Sequence, residues 1–163
     1  MPRVHTSHVY LPGGDPASGR HEYDVAELRP FFLVGDEDDA EFGSDGFVTA
    51  ASAKDADVLS TLPKRPHGPT LSYEYYPGRG FSLAWSRVEA DGRLQPTVMS
   101  VGNRQLLHGF LVKPNQAQVP MGTFISGELA FRVLEDFAAA PDRLSGAIDW
   151  VAANDLDWPD PEE

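Results

Sequence analysis

The sequence predicts an α+β fold, a mainly antiparallel β-sheet with helices packed on one face. The first observation behind this prediction is a set of four segments rich in β-branched and aromatic residues, joined by turn-forming residues. The second is a helix-forming segment with a clear apolar stripe, followed by a short apolar segment near the C-terminus. Together they predict a meander of about four strands plus a short C-terminal strand.

Upstream of the meander, the sequence predicts two short helices. Asp24 can cap the first helix, which should end at Arg29 because Pro30 restricts the backbone of the residue before it. A short extended piece begins at Phe47, and a second helix is expected over about residues 52–62. These elements are expected to pack against the sheet.

The four predicted strands of the meander lie in the middle of the chain, at residues 70–76, 81–88, 94–101 and 106–112. The connecting sequences PGRG, EADG and GNRQ have the turn chemistry that joins antiparallel neighbours. Along LAWSRV the two faces are not cleanly polar and apolar. This pattern predicts a sheet that is covered on one face and partly occupied on the other.

The predicted C-terminal helix has the clearest helical pattern in the chain. Ser126 is a good N-cap, Glu128 lies in the first turn where it favours the helix dipole, and Pro141 ends the helix. Its expected core-facing residues recur at helical spacing: Leu129, Ala130, Val133, Leu134 and Phe137. Residues 147–152 then predict the last short strand.

Length and composition indicate one globular domain over residues 1–163, with a flexible N-terminus at 1–22 and an acidic tail at 153–163. The chain has no cysteine, which excludes disulfides, thiolate metal sites and cysteine nucleophiles. No apolar run approaches the ~20 residues that cross a bilayer, and the polar start is unlike a signal peptide. We therefore expect a cytoplasmic protein with no membrane partner.

Charge is concentrated in two acidic blocks. The chain carries 13 basic and 25 acidic residues, a formal net charge of −12. Residues 15–45 hold ten acids and two arginines, and residues 149–163 hold six acids and no base. A field of this sign repels nucleic acid and anionic membranes and attracts basic partners. The alternative is that the acids simply keep the chain soluble.

The densest acidic stretch is GDEDDAEFGSDG, residues 35–46. Its acidic residues are candidate partner-binding residues: Asp36, Glu37, Asp38, Asp39, Glu41 and Asp45. A calcium loop of the EF-hand type needs Gly at its sixth position and Glu at its twelfth, where Glu41 and Phe47 stand when the count starts at Asp36. The run is therefore either a solvated loop or a surface that meets a basic partner.

Catalytic motifs are missing from the sequence. It has no Gly-x-Ser-x-Gly elbow, phosphate-binding loop, dinucleotide fingerprint or zinc-deaminase motif. His5 and His8 have no evident third ligand, and His108 within an apolar segment is interpreted as a core histidine. We therefore predict a protein that is not an enzyme and holds no metal or cofactor.

Aromatic residues are dense in the first two strands of the meander. Phe81, Leu83 and Trp85 alternate on one face, and core packing explains them, so Trp85 is assigned a structural role. Tyr76 and Arg79, at a turn, are better candidates for partner contact. Aromatic and arginine side chains often carry most of the binding energy of an interface.

The segment QVPMGTFISGELAFRVLEDFAAAPDRLSGAIDWV resembles the closing part of the bacterial immunity proteins of family 1. In that family an extended Val-Pro piece leads to a helix that ends in a Phe, and a tryptophan then closes the domain. The matching positions are Val119–Pro120, the helix from Glu128 to Phe137, and Trp150. The family's usual Thr-Gly-x-Arg-Pro-like turn is replaced by AAAPDRLSGAIDW. The resemblance spans about residues 47–151 and implies structural roles for Phe137 and Trp150.

This resemblance implies an antitoxin that binds a cognate polymorphic toxin in a 1:1 complex. Many such toxins have deaminase-superfamily domains that act on nucleic acid bases, and these need a basic surface around their pocket. An acidic protein can occupy that surface without binding nucleic acid itself. Two alternatives remain open. One is a small ligand-binding domain or enzyme with a pocket lined by Tyr73, Tyr75 and His108, and the other is a scaffold for another basic protein.

Overall fold

The computed structural model describes residues 3–6, 22–33, 45–50, 68–76, 78–89, 93, 96–113 and 116–158. Its strands are β1 Arg3–Thr6, β2 Glu22–Asp24, β3 Asp45–Ala50, β4 Gly68–Tyr76, β5 Gly80–Val88, β6 Val98–Val101, β7 Phe110–Val112, β8 Gln118–Pro120, β9 Phe124–Ile125 and β10 Asp149–Ala152. The α-helices in these ranges are α1 Arg29–Phe32 and α2 Gly127–Ala139. The helix predicted over residues 52–62 lies outside the described residues.

Most strands belong to one antiparallel sheet. Its order is β10-β6-β5-β4-β3-β1-β2, and β9 pairs with β5 next to the equally short β5–β6 pairing. The longest pairing joins β4 and β5 along their entire length. Strands β7 and β8 form a separate hairpin. The predicted α+β class, with a mainly antiparallel sheet, is confirmed.

One face of the sheet carries the main core. Alternating residues of β4 and β5 form its floor: Leu71, Tyr73, Tyr75, Phe81, Leu83 and Trp85. Helix α1 covers this floor, with the Phe32 ring centroid 4.7 Å from that of Phe81. Helix α2 also packs here, and the Phe131 ring lies 6.3 Å from Phe32. Both α-helices therefore lie on the same face, as the sequence predicts.

The N-cap prediction for α2 is confirmed, because the Ser126 hydroxyl accepts a hydrogen bond from the Leu129 N–H at 3.2 Å. The predicted core residues Ala130, Val133, Leu134 and Phe137 are buried. Leu129 was the wrong choice, since it is exposed and Phe131 is buried in its place. The apolar stripe widens towards Phe131 because α1 packs against that side of α2. The helix ends at Ala139, shortly before Pro141, as predicted.

Asp24 caps the first helical segment, as predicted, and its N–H donates to the Glu27 carboxylate at 2.9 Å in a capping box. The predicted helix end at Arg29 is wrong. A 3-10 helix covers Val25–Leu28, and α1 then starts at Arg29 with Pro30 in its first turn. Proline is tolerated in a first turn because its missing N–H would have no partner within the helix.

The opposite face of the sheet is polar but largely covered. Thr49, Thr70 and Ser86 lie side by side across β3, β4 and β5, and all three are buried. Further along β5, the Ser82 and Thr123 hydroxyls share a hydrogen bond of 2.6 Å. The incomplete alternation of LAWSRV thus reflects a second face whose polar residues are themselves buried.

Lys113, directly after β7, is the most unusual residue of this polar face. Its side chain is completely buried and forms an ion pair with Glu74 of β4. Lysine side chains are almost never buried completely unless they are paired. The pair therefore holds the β7–β8 hairpin against the polar face of the sheet.

The predicted fourth strand of the meander, residues 106–112, is placed differently. A 3-10 helix covers Arg104–Leu106, and only the end of the segment is extended, as β7. Strand β7 pairs with β8, whereas β10 occupies the free edge of β6. The predicted C-terminal strand is therefore present, and it takes the position expected for the fourth strand.

Described parts of both terminal segments belong to the fold. Within the N-terminus expected to be flexible, β1 pairs with both β2 and β3, and Val4 is completely buried. Within the predicted acidic tail, Leu156 packs with Met99 and Leu107 in a small second cluster. Among the described residues, no helix combines the length and hydropathy needed to cross a membrane.

Candidate functional site

The turn between β4 and β5, with Tyr76, Gly78, Arg79 and Gly80, forms one end of the sheet, which we call the hairpin end. The Arg79 N–H donates to the Tyr76 carbonyl at 3.0 Å and closes the turn. Gly78 and Gly80 have φ angles of 80° and 93°, in the left-handed region that favours glycine. The turn leaves Arg79 exposed and Tyr76 partly buried, so both predicted contact residues lie at one tip.

Both flanks of the acidic run lie at this hairpin end. On the side before the run, Phe32 lines the same cleft as Arg79. Near the end of the run, Asp45 lies opposite Glu74 in the β3–β4 pairing, and Glu74 stands two residues before Tyr76. The chain therefore enters and leaves the run at the end of the sheet that carries the predicted contact residues.

The structure does not describe the acidic side chains of the run. Asp36, Glu37, Asp38, Asp39 and Glu41 lie outside the described residues. Asp45 is described as the first backbone position of β3. What the structure establishes is where the run is anchored. It brings the two anchors together with Tyr76 and Arg79.

A cleft of about 340 Å³ lies beside the hairpin end, between the turn, α1 and the first turn of α2. Ser126 and Gly127 line it from the N-terminus of α2, and Arg79 lines it from the turn. A helix N-terminus carries a partial positive charge, to which Arg79 adds a full one. The cleft therefore suits a small acidic group of a ligand or partner. The acid-rich run, by contrast, suits a basic one.

A larger groove, of about 660 Å³, separates the first helical segment from α2. Val25, Leu33 and Phe131 supply apolar lining. Its charged lining residues are of both signs: Arg29, Glu128, Arg132 and Glu135. Arg132 also pairs with Asp136, with 3.7 Å between Nε and Oδ1. An apolar floor with balanced charges at its rim suits a side chain of a partner protein.

The second acidic block contributes exposed ion pairs. Asp149 lies 3.5 Å from Arg104, measured from Oδ2 to Nη2, and Asp157 lies 2.8 Å from Nδ1 of His108. The His108 side chain is 70 % exposed, so its interpretation as a core histidine is wrong. The reason is that its segment lies on the surface beside the C-terminal residues and does not belong to the main sheet.

The residues assigned structural roles lie at the core. The Trp85 indole N–H donates to the Pro141 carbonyl at 3.0 Å, and the Trp150 indole N–H donates to the Ser145 carbonyl at 3.0 Å. Phe137 is buried, and both tryptophans pack against the main core. The tryptophans therefore tie the turn after α2 to the sheet.

The pocket required by the ligand-binding alternative is not formed. Tyr73 is buried in the core next to Phe31, with 5.6 Å between ring centroids, whereas His108 is exposed beside Asp157. Tyr73, Tyr75 and His108 therefore do not line a common cavity. Within the described ranges, no group of three or more His, Cys, Asp or Glu side chains could hold a metal ion.

Sequence reasoning missed an exposed apolar surface formed by Phe110, Val112 and Trp158. Val112 is 57 % exposed and Trp158 is 42 % exposed. The Phe110 and Trp158 rings lie 5.2 Å apart between centroids. The sequence signal was a tryptophan in an acidic, proline-containing stretch, where burial is not expected. Its contact with Phe110 joins two distant segments and is invisible to local patterns.

Comparison with known proteins gives no match: no family model, no curated protein and no solved structure is significantly similar to this chain. The candidate site is therefore defined by its own geometry. An exposed turn, a neighbouring cleft and the two anchors of an acidic run meet at one end of the sheet. Such a combination of exposed anchors and concentrated charge is suited to binding a macromolecular partner.

Proposed function

We propose that this protein is an immunity protein that binds and neutralises a cognate bacterial toxin, a nucleic-acid deaminase. It forms a 1:1 complex in the cytoplasm and covers the basic substrate-binding surface or the active site of the toxin. It blocks the nucleic acid from reaching the deaminase and performs no catalysis itself. Support comes from the two acidic blocks and from the resemblance to immunity family 1.

The observation that carries this proposal is the anchoring of the acidic run at the hairpin end. Phe32, shortly before the run, lines one cleft with Arg79, and Asp45, near the end of the run, pairs with Glu74 two residues before Tyr76. Acidic residues spread evenly over a surface would serve solubility alone. A run of acids in the sequence whose two flanks lie at the end of the sheet that carries an aromatic and an arginine residue favours a partner-facing surface.

Charge complementarity gives the proposed complex its speed. A nucleic-acid deaminase must attract phosphate, and the same positive field attracts a protein with a net charge of −12. Steering of this kind raises association rates by about 10- to 1,000-fold at low salt. Fast capture matters for self-protection, because the toxin has to be bound before it finds its substrate.

Association kinetics with the deaminase domain of the cognate toxin test this proposal. The variant with Asp36→Asn, Glu37→Gln, Asp38→Asn and Asp39→Asn removes four acids from the run. We expect it to associate about tenfold more slowly than the unmodified protein at low salt, with a flatter dependence on salt, because steering is screened within a Debye length. Stopped-flow or biosensor measurements at about 0.05 M and about 0.5 M salt give both quantities.

A control for net charge uses the opposite end of β5. Glu89 and Asp142 both pair with Arg87 there, and replacing them by Gln and Asn removes two acids far from the hairpin end. This control variant should slow association less, per charge removed, than the acidic-run variant does. An acidic-run variant with an unchanged association rate would exclude the run from the interface. Equal binding to basic proteins of other classes would favour the scaffold alternative.

A further inference from the structure

The β7–β8 hairpin has one backbone edge that no described strand occupies. The Met121 N–H donates to the Gly109 carbonyl at 2.8 Å, and the Lys113 N–H donates to the Ala117 carbonyl at 2.9 Å. In an antiparallel pair, alternate residues bond to the partner strand and the residues between them point the other way. The backbone N–H and C=O groups of Phe110 and Val112 are therefore directed away from β8.

The same two residues belong to an exposed apolar surface, which we call the β7 edge strip: Phe110, Val112 and Trp158. Val112 and Trp158 are among the exposed large apolar side chains of the described chain. The Trp158 indole N–H donates to the Ala153 carbonyl at 2.8 Å, and its ring packs on Phe110. Trp158 is thus held in place at the surface without being buried, as expected of a preorganised contact residue.

Acidic side chains lie beside the β7 edge strip, and one of them, Asp157, also contacts His108. Asp155 and Asp157 are exposed beside Trp158, and residues 149–163 contain six acids and no base. Apolar contacts at the centre with charged residues around them match the usual anatomy of a protein interface. The sign of this rim selects a partner with basic side chains.

The β7 edge strip is linked to the hairpin end through a buried ion pair. Lys113 follows Val112 directly and forms its buried ion pair with Glu74. Glu74 lies two residues before Tyr76 and opposite Asp45, the anchor of the acidic run. The Lys113–Glu74 pair therefore fixes the position of the β7 edge strip relative to strand β4 and its turn.

We propose that the β7 edge strip docks an extended basic segment of the toxin, which adds a third strand to the β7–β8 hairpin. This inference rests on the function proposed above and assigns a second contact surface to it. The added segment pairs its backbone with Phe110 and Val112, packs an apolar side chain on Trp158, and directs basic side chains to Asp155 and Asp157. Since β7 is three residues long, the added strand is also short.

Two substitutions test the side-chain part of this proposal. Val112→Lys places a cation where a basic segment should dock, and Trp158→Ala removes the aromatic anchor. We expect each substitution to raise the dissociation constant for the toxin's deaminase domain about tenfold, as measured by calorimetry. Leu144→Lys is the matched control, since Leu144 is 42 % exposed in the turn after α2 and should leave the constant unchanged.

Hydrogen exchange tests the proposed backbone pairing. It is measured on the unmodified protein, so the result does not depend on whether a variant folds. The Phe110 and Val112 amides should exchange at least about tenfold more slowly in the complex, because the added strand occupies them. The docking surface is overturned if both variants bind the toxin normally and the Phe110 and Val112 amides of the unmodified protein exchange freely in the complex. The proposed immunity function would then still stand. Failure of the unmodified protein to bind the toxin overturns both. The docking surface is also overturned if the unmodified protein self-associates and Val112→Lys abolishes that self-association. The β7 edge would then bind a second copy of this chain.

Discussion

At the scale of single residues, the ion pair between Lys113 and Glu74 is asymmetric. The Lys113 side chain is completely buried, whereas 27 % of the Glu74 side chain is exposed. Removing the Glu74 charge takes the carboxylate partner away from a buried cation, but replacing Lys113 by an apolar side chain leaves a carboxylate that water can reach. We expect Glu74→Gln to lower the free energy of unfolding by about 3 kcal/mol and Lys113→Met by only about 1 kcal/mol.

Urea denaturation of the two single variants and of the double variant measures this asymmetry. The double variant should resemble Lys113→Met, because no buried cation remains once Lys113 is replaced. A larger loss for Lys113→Met than for Glu74→Gln would contradict the account, since it would mean that the lysine stem, and not its charge, sets the cost.

Residue-scale predictions from sequence succeed where one local rule decides the outcome. Ser126 and Asp24 are caps because their side chains and position satisfy helix-end N–H groups, which is a local requirement. His108 and Leu129 were misplaced, because their exposure depends on which distant element covers them. Burial of a side chain is set by tertiary packing, and neither residue carries a local signal for it.

At the scale of elements, the contact between α1 and α2 depends on one glycine. A Cβ built on Gly127 would overlap the backbone carbonyl oxygen of Phe32, which cannot move as a flexible side chain can. Alanine is the better helix former, so propensity alone predicts a gain from Gly127→Ala. We expect a loss of about 2 kcal/mol in unfolding free energy instead, because the two helices must separate.

The matched control for this substitution is Gly146→Ala. A Cβ on Gly146 meets no atom within 4 Å, and its backbone is not in the left-handed region. Thermal or urea denaturation should show a change within about 0.5 kcal/mol for this variant. A Gly127→Ala protein that is as stable as the Gly146→Ala protein would show that α1 does not press against α2 as described.

The order of strands could be predicted only in part. The β4–β5 hairpin follows from two adjacent strand patterns and a glycine-containing turn, all close together in sequence. The neighbour of β6 could not be predicted in the same way. Segment 106–112 is nearer along the chain, but β10 takes that edge because β7 is held elsewhere by β8 and by the Lys113–Glu74 pair. Such choices are made by long-range contacts.

At the scale of the whole molecule, the candidate site combines composition with topology. The acidic run is visible in the sequence as a cluster of carboxylates without a base. Its anchoring next to Tyr76 and Arg79 is not visible there, because it follows from the pairing of Asp45 with Glu74 and from the packing of α1. The sequence names the candidate residues, and the fold adds that Asp45, Tyr76 and Arg79 lie at one end of the sheet.

The proposed function makes one quantitative demand on the whole molecule, which is stoichiometric neutralisation. A tight 1:1 inhibitor removes enzyme activity linearly until the two concentrations are equal, because every bound toxin molecule is silenced. Titration of this protein into the deaminase domain of the cognate toxin, with deamination of a nucleic acid substrate as readout, tests this directly. We predict loss of deaminase activity with an endpoint at one equivalent. Full deaminase activity in the presence of saturating protein would contradict the proposal.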